Sequence, residues 1–213
     1  MQAFDSLSRD IQQYIYDKGW PSLTSIQNAA IKQVANTDHN LILSAPTASG
    51  KTEAAFIPAL NSVEDWDTGL KVLYISPLKA LINDQFQRIS ELSAYLDIPI
   101  TPWHGEVSQA QKKKVVNQPK GILLITPESI EGMLVNRPGK AQHLFKGVEW
   151  IIIDELHSFL GTERGVHLQS LLQPISQFMQ APRFIAMSAT LNKKDFGYAK
   201  AFFGSQRDTD ILV

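Results

Sequence analysis

The chain has 213 residues, of which 20 are lysine or arginine and 21 are aspartate or glutamate, so its formal net charge is −1. With 44% hydrophobic and 19% charged residues it has the composition of a globular domain, and its charge balance argues against tight non-specific binding of nucleic acid. The lack of cysteine excludes disulfides and a thiolate metal site, and we expect no zinc. No apolar run approaches the roughly 20 residues that span a membrane, and the N-terminus lacks the pattern of a secretory signal. We therefore expect no membrane partner and a cytoplasmic or nucleoid-associated location.

Residues 1–36 have helical patterns throughout and are predicted to form a helical layer on the domain. Beyond them, strand-length apolar runs alternate with helical patterns. The clearest helix spans residues 165–180, with an apolar stripe made of Leu168, Leu171, Leu172, Ile175, Phe178 and Met179. The alternation predicts one α/β domain over residues 1–213, with a mostly parallel sheet covered by helices on both faces. The predicted strands are 41–45, 72–76, 98–103, 122–126, 150–154 and 184–188.

The first predicted strand leads into the sequence Ala-Pro-Thr-Ala-Ser-Gly-Lys-Thr, which is followed by a predicted helix. This context predicts a phosphate-binding loop, because backbone N–H groups and a helix N-terminus attract phosphates. Gly50 allows close approach, Lys51 can reach the β- and γ-phosphates, and the Thr52 hydroxyl can hold magnesium. The pattern departs from G-x-x-x-x-G-K-[ST] at its first position, and a solvated turn is the alternative interpretation. The predicted nucleotide-binding residues here are Ala45, Thr47, Ala48, Ser49, Gly50, Lys51 and Thr52.

The second informative segment is Trp-Ile-Ile-Ile-Asp-Glu at residues 150–155. Three isoleucines in succession are typical of a central parallel strand that is buried on both faces. Two carboxylates follow at the end of the strand, where open α/β sheets bind ligands. Asp154 is placed to hold Mg²⁺ and Glu155 to polarise the attacking water, although adjacent acids can also cap a helix. Together with the loop, they predict ATP and Mg²⁺ as ligands.

Taken in order, these and four further segments resemble the motifs of superfamily 2 helicases over nearly the whole chain. Residues 45–52 resemble motif I, 76–81 motif Ia, 126–129 motif Ib, 154–157 motif II of the DExH-box type, and 188–190 motif III. Gln27 lies where the family places an adenine-reading glutamine. Within the superfamily, residues 47–56, 77–81 and 161–168 are most similar to the large helicase-related (Lhr-type) branch.

The resemblance implies a RecA-like P-loop NTPase domain that forms the first motor lobe of a helicase. It implies that Lys51, Asp154, Glu155 and His157 carry the catalytic chemistry. Gln27 would contact adenine, because an amide donates and accepts at once as the adenine edge requires. The alternative is an ordinary polar residue on a helix.

A further implied role is the coupling of the metal site to the rest of the lobe. His157 would link this site to Ser188 and Thr190, which end the next buried strand. The alternative is an ordinary residue at a helix start. His104 and His143 have no partner pattern and are assigned core or surface roles. Trp20 and Trp103 are interpreted as core aromatics, with base stacking as the alternative.

Contacts with DNA or RNA are implied for motifs Ia and Ib. Hydroxyls, backbone N–H groups and helix N-termini can hold a phosphate backbone without adding net charge. Arg88, in the helix after motif Ia, is also expected near a nucleic-acid phosphate, whereas the basic run 112–114 is interpreted as a solvated helix face. The implied contact residues are Ser76, Pro77, Thr126, Pro127 and Ser129.

The function implied by the resemblance is that of an ATP-dependent DNA or RNA helicase. Only the residues up to Val213 follow Thr190, too few for a second α/β domain. We therefore expect the second RecA-like lobe C-terminal to this chain or on a partner, and little or no activity of this lobe alone. Two alternatives are a nucleotide-dependent binding or switch module, and the translocase part of a nuclease or modification assembly that does not separate strands.

Overall fold

The computed structural model describes residues 3–204 and 206–213. Within them, seven parallel strands form one sheet in the order β3-β4-β2-β5-β6-β1-β7. The strands are β1 Asn40–Ser44, β2 Gly69–Ile75, β3 Ile100–Trp103, β4 Lys120–Ile125, β5 Trp150–Ile153, β6 Arg183–Ser188 and β7 Thr209–Leu212. The helices are α1 Arg9–Asp17, α2 Ser25–Asn36, α3 Lys51–Ser62, α4 Lys79–Tyr95, α5 Gln109–Asn117, α6 Pro127–Asn136, α7 Pro138–Phe145, α8 Glu163–Ser176 and α9 Phe196–Ala201, with 3₁₀ turns at Phe4–Ser6, Leu156–Ser158 and Lys193–Asp195.

The sheet separates two hydrophobic cores because side chains alternate between its faces. In β1, Leu41 and Leu43 pack with α1 to α4, whereas Ile42 packs on the opposite side with α6 to α9. All three side chains have no exposed surface. The prediction of a parallel sheet with helices on both faces is therefore confirmed.

Hydroxyl side chains set where several helices begin. Ser8, Thr24, Ser108, Thr126 and Thr162 each precede a helix and accept a hydrogen bond from a backbone N–H of its first turn. Such a cap typically stabilises a helix by about 1 kcal/mol. Among the described residues, no helix is both long and apolar enough to cross a membrane.

All six predicted strands are present, with ends that differ by up to three residues, but β7 was missed. Its four residues are too short and too polar a run to stand out, and it forms by pairing with β1 from Asn40↔Thr209 to Leu43↔Leu212. The prediction of a wholly helical N-terminal layer is wrong over residues 18–24, where Gly19 has a φ of 64° and the chain turns between α1 and α2. Met1 and Gln2 lie outside the described residues. Helix α8 ends at Ser176, four residues before the predicted 180.

The order of the strands brings the predicted motifs to one edge of the sheet. Because every strand is parallel, all carboxyl ends point the same way. β6 lies between β1 and β5, so the loops after these three strands adjoin. β2 lies between β5 and β4, which places the loops after β2 and β4 on the other side of the same edge.

Gly165 allows α8 to pack against the turn that follows β5. A Cβ atom built on Gly165 would lie 1.8 Å from the backbone oxygen of Phe159. The N–H of Gly165 is already held by the Thr162 hydroxyl at 3.2 Å, so the helix start has little room to shift. This close approach fixes α8 relative to the segment that carries the acidic residues.

We expect Gly165→Ala to lower the free energy of unfolding by about 1–3 kcal/mol, because overpacking forces the backbone apart. Urea unfolding of the two proteins measures the difference. The matched control is Gly197→Ala in α9, where a Cβ would meet nothing within 4 Å. That change should be neutral or stabilising by up to about 1 kcal/mol, since alanine favours helix. Equal effects at the two positions would contradict the packing described.

Candidate functional site

A cleft of about 640 Å³ lies at the carboxyl edge of the sheet, between the loop after β1, helix α4 and the residues after β5. It contains predicted nucleotide-binding residues together with both acidic residues of the DExH segment. Its lining consists of Thr47, Ala48, Gly50, Lys51, Thr52, Leu81, Asp84, Gln85, Gln87, Arg88, Asp154, Glu155, Met187 and Ala189.

The loop after β1 turns tightly into α3. Ala48 and Gly50 both have left-handed backbone conformations, with φ values of 63° and 84°. The Lys51 ammonium group donates to the backbone oxygen of Ala45 and, at 2.7 Å, to that of Pro46, so its side chain folds back over the loop. Burial lowers the pKa of Lys51, and the nearby charges of Glu155 and Asp154 oppose that shift.

Gln27 joins the N-terminal layer to this loop. Its Oε1 accepts from the Thr24 N–H at 2.9 Å, and its Nε2 donates to the Gly50 oxygen at 3.4 Å. The side chain is only 4% exposed, and a Cβ on Gly50 would come within 2.5 Å of Nε2. This close approach and the left-handed φ of 84° both favour glycine at position 50, and the adenine contact implied for Gln27 stays a prediction.

Asp154 lies at the end of β5 and is 6% exposed. One carboxylate oxygen accepts from the Tyr74 hydroxyl of β2, and the other accepts from the Glu155 N–H at 2.9 Å. Burial raises the pKa of Asp154 above its ordinary value of 3.8, while the hydrogen bonds from Tyr74 and Glu155 oppose the rise. The carboxylate thus has a single orientation set by two donors.

Sequence reasoning missed Tyr74. It is fully buried and stacks on Phe56 of α3, with ring centroids 5.7 Å apart. Burial, followed by the charge of Asp154, raises the pKa of Tyr74 well above its ordinary value. The sequence offered one indication of this contact, a tyrosine within a strand predicted to be buried, because a buried phenol usually needs a hydrogen-bond partner.

Residues after β5 and β6 form a chain of polar contacts. Glu155 has a φ of 50°, which turns the chain sharply and costs about 1–2 kcal/mol for a residue other than glycine. His157 Nε2 lies 3.3 Å from a Glu155 carboxylate oxygen, and His157 Nδ1 lies 3.4 Å from Ser188 Oγ. Ser188 Oγ donates to the Thr190 backbone oxygen at 2.9 Å. The structure places His157 between Glu155 and Ser188, with Thr190 engaged through its backbone rather than its hydroxyl, and the coupling role implied for these residues stays a prediction.

Most of the residues predicted to touch nucleic acid are buried. Ser76 has no exposed surface and Pro77 is buried, and the contacts with DNA or RNA predicted for these two residues stay predictions. Pro127 is buried at the first turn of α6. Thr126 caps α6 and its hydroxyl donates to Ser129 Oγ at 3.1 Å. Ser129 is half-buried, and its predicted contact and that of Thr126 stay predictions. The two residues that follow each of β2 and β4 are buried because these strands lie inside the sheet, so the chain is still in the core where they end.

Three side chains gain a role only from the structure. Arg164 of α8 donates to the backbone oxygen of Pro77 at 2.6 Å and to Glu128 at 3.3 Å, which ties the loops after β2 and β4 to the segment after β5. Arg88 lines the cleft and pairs with Glu53 at 3.3 Å, and the nucleic-acid phosphate contact expected for it stays a prediction. Gln85, on the same helix, accepts a hydrogen bond from the Thr52 hydroxyl at 3.1 Å.

The site geometry agrees with a family comparison that covers most of the chain. The family model described as DEAD/DEAH box helicase matches residues 24–196, from the cap of α2 to the start of α9. The chain belongs to the DEAD/DEAH box helicase family. The resemblance to superfamily 2 helicases is thereby confirmed.

Curated relatives of this helicase domain include Lhr proteins, as predicted. ATP-dependent helicase Lhr-Core of Methanocaldococcus jannaschii is 29% identical over 229 residues, covering 99% of this chain and 26% of the relative. Lhr helicase/uracil glycosylase of Escherichia coli is 32% identical, covering 89% of this chain and 13% of the relative. The chain therefore spans about a quarter or less of the length of these proteins.

Solved structures show the same RecA-like fold. Mycobacterium smegmatis helicase Lhr bound to ssDNA and AMP-PNP superposes with a TM-score of 0.86 at 27% identity, covering 100% of this chain and 28% of that one. The helicase MrfA bound to DNA and AMPPNP gives 0.82 at 25% identity, covering 98% and 29%. The helicase domain is thus the first RecA-like domain of this class of protein.

Asp154→Asn should make the protein without nucleotide more resistant to urea near neutral pH. Burial raises the pKa of Asp154 in the folded state, so stability from its protonated form is present at low pH and is lost as the pH rises through that raised value. The variant carries no charge and avoids this loss. Its advantage should shrink as the pH falls toward 3.8, the ordinary value.

Unfolding midpoints measured over this pH range test the expectation. Lys113→Gln, at an exposed position of α5, also removes one charge and is the control; its midpoint should stay close to that of the unchanged chain. A lower midpoint for Asp154→Asn near neutral pH would mean that the hydrogen bonds from Tyr74 and Glu155 outweigh burial.

Proposed function

We propose that this chain is the first motor lobe of an ATP-dependent helicase or translocase that acts on DNA or RNA. The observation that carries the proposal is the shared cleft of Lys51, Thr52, Asp154 and Glu155, built by loops that flank β6. The Lhr and MrfA structures hold an ATP analogue together with DNA, which supports ATP as the nucleotide and favours DNA as the nucleic acid.

Magnesium fits the donors that the chain offers. Thr52 supplies a hydroxyl and Asp154 a carboxylate, and both are hard oxygen ligands that line the same cleft. Mg²⁺ typically takes one or two carboxylates and completes its shell with phosphate oxygens and water. In the proposed site, Thr52 and Asp154 would hold the ion, and a bound Mg²⁺ would supply positive charge against the phosphates.

The residues of the chain act on ATP by position and charge. Lys51 exchanges the backbone oxygens of Ala45 and Pro46 for phosphate oxygens, which are better partners for an ammonium group. Glu155 accepts the proton of the water that attacks the γ-phosphorus. The bond between that phosphorus and the bridging oxygen breaks, and ADP and phosphate leave. Phosphoryl transfer needs little beyond such positioning.

Motion along nucleic acid requires a second lobe in this proposal. The longer relatives have room for one, since the chain covers only 26% of Lhr-Core. A second lobe would lend an arginine to the γ-phosphate, an interaction worth about 10³–10⁵ in rate in related enzymes. Closure of two lobes on ATP and their reopening after hydrolysis would drive stepping.

Lys51→Ala should weaken ADP and ATP binding by roughly ten- to hundredfold. The loss of a charge-assisted contact costs about 1.5–3 kcal/mol, which corresponds to that range. Isothermal titration calorimetry measures the change. Lys32→Ala, at an exposed position of α2, is the control and should bind as the unchanged chain does. Equal affinities for the unchanged chain and Lys51→Ala would contradict the phosphate site.

Glu155→Gln should abolish ATP turnover in the protein that contains both lobes, while nucleotide binding persists. The amide keeps the shape of the side chain and cannot take a proton, so the rate should fall by at least about 10²–10⁴. Steady-state phosphate release, with and without single-stranded DNA, gives the rate. Turnover within a few-fold of the unchanged enzyme would show that another group activates the water.

A further inference from the structure

The hydroxyl of Thr52 is held by a buried partner on another helix. Thr52 Oγ1 donates to Gln85 Oε1 at 3.1 Å, which joins the first turn of α3 to the middle of α4. Thr52 is 4% exposed and Gln85 is 9% exposed, and both border the cleft beside Asp154. This contact is one of the few polar links between α3 and α4 within the described residues, together with Arg88–Glu53.

Gln85 lies in line with buried apolar residues of α4, at the point where that row reaches the cleft. Its buried neighbours along the helix are Ile82, Ile89 and Leu92, which pack into the core under the sheet. An apolar side chain would serve packing at this position, because a buried amide costs free energy unless it is hydrogen-bonded. Among the described residues, the hydrogen bond that the structure gives this amide is the one from Thr52.

The direction of this hydrogen bond decides how the hydroxyl can act. A threonine hydroxyl has one proton and two acceptor lone pairs, and an amide oxygen can only accept. The proton is therefore committed to Gln85, and the lone pairs of Thr52 Oγ1 are free for the cleft. A cation is bound through a lone pair, so the hydroxyl is already oriented as a metal ligand.

We propose that Gln85 is a positioning residue for magnesium that acts through Thr52. The proposal rests on the magnesium site of the proposed function and extends it to a residue outside the motifs. Groups that orient a metal ligand typically change metal affinity by 10- to 100-fold when they are removed. Gln85 itself need not touch the ion.

The test compares nucleotide affinity with and without the metal. Gln85→Met keeps the length of the side chain and removes the strong acceptor, whereas Gln85→Glu keeps an acceptor. The affinity for ADP is measured by calorimetry in excess Mg²⁺ and in excess EDTA, and the ratio of the two affinities is the magnesium enhancement. We expect Gln85→Met to reduce this ratio by roughly 10- to 100-fold, while the affinity for ADP measured in EDTA changes little. Gln85→Glu should retain the ratio.

Two controls separate positioning from general damage. Ser62→Ala removes a hydrogen bond that Trp150 Nε1 donates at 2.8 Å at the far end of α3, and it should leave the ratio unchanged. Thr52→Val removes the proposed ligand, so Gln85→Met should have no further effect on the ratio in that background. A full further loss there would overturn action through Thr52. Thermal unfolding of each variant checks that it is folded.

The outcomes distinguish this role from the site on which it depends. A normal magnesium enhancement in the unchanged chain that persists in Gln85→Met would overturn the role of Gln85 alone. Equal losses with Mg²⁺ and with EDTA would also overturn it, because they would reveal a purely structural role. No magnesium enhancement in the unchanged chain would overturn the magnesium site itself, and the role of Gln85 with it.

Discussion

The parallel pairing of β1, β6 and β5 is the constraint on which the site depends. Neighbouring strands in a sheet lie about 4.8 Å apart, so one intervening strand separates the ends of β1 and β5 by about 10 Å. That interval leaves room for phosphates between Lys51 and the two acidic residues. The loop after β6 fills the gap with Ser188 and Thr190, which are therefore next to both halves of the site.

Polar links between separate elements make this edge of the sheet rigid. Gln27 on α2 is hydrogen-bonded to the phosphate loop, Gln85 on α4 to Thr52, and Tyr74 on β2 to Asp154. Each link joins a functional residue to an element that is itself packed in a core. Sites supported in this way keep their geometry better than sites on free loops.

The burial of Asp154 at this edge of the sheet lowers the stability of the folded protein. Burial disfavours its charge, and the donors Tyr74 and Glu155 offset only part of that cost. A nearby cation relieves it, because opposite charge favours the ionised carboxylate. In the proposed function, binding of the metal with nucleotide would stabilise the charged state. The left-handed backbone at Glu155 also costs stability, and this strained residue lies in the candidate site beside His157, as strained residues often do.

Much of the fold and of the candidate site could be predicted from the sequence alone, because the patterns that identify them are local. The apolar runs predicted six strands, and the loop around Gly50 and the acids after Ile153 predicted the nucleotide site from their immediate neighbours. Strand β7 was not predictable in this way, since it is stabilised by its partner β1 rather than by its own short sequence. The burial of Ser76 depended on β2 lying inside the sheet, and the cleft position of Arg88 depended on where α4 packs. Tertiary structure alone paired Tyr74 with Asp154, Gln85 with Thr52 and Arg164 with Pro77, because each pair joins residues more than thirty positions apart whose contact leaves no local pattern.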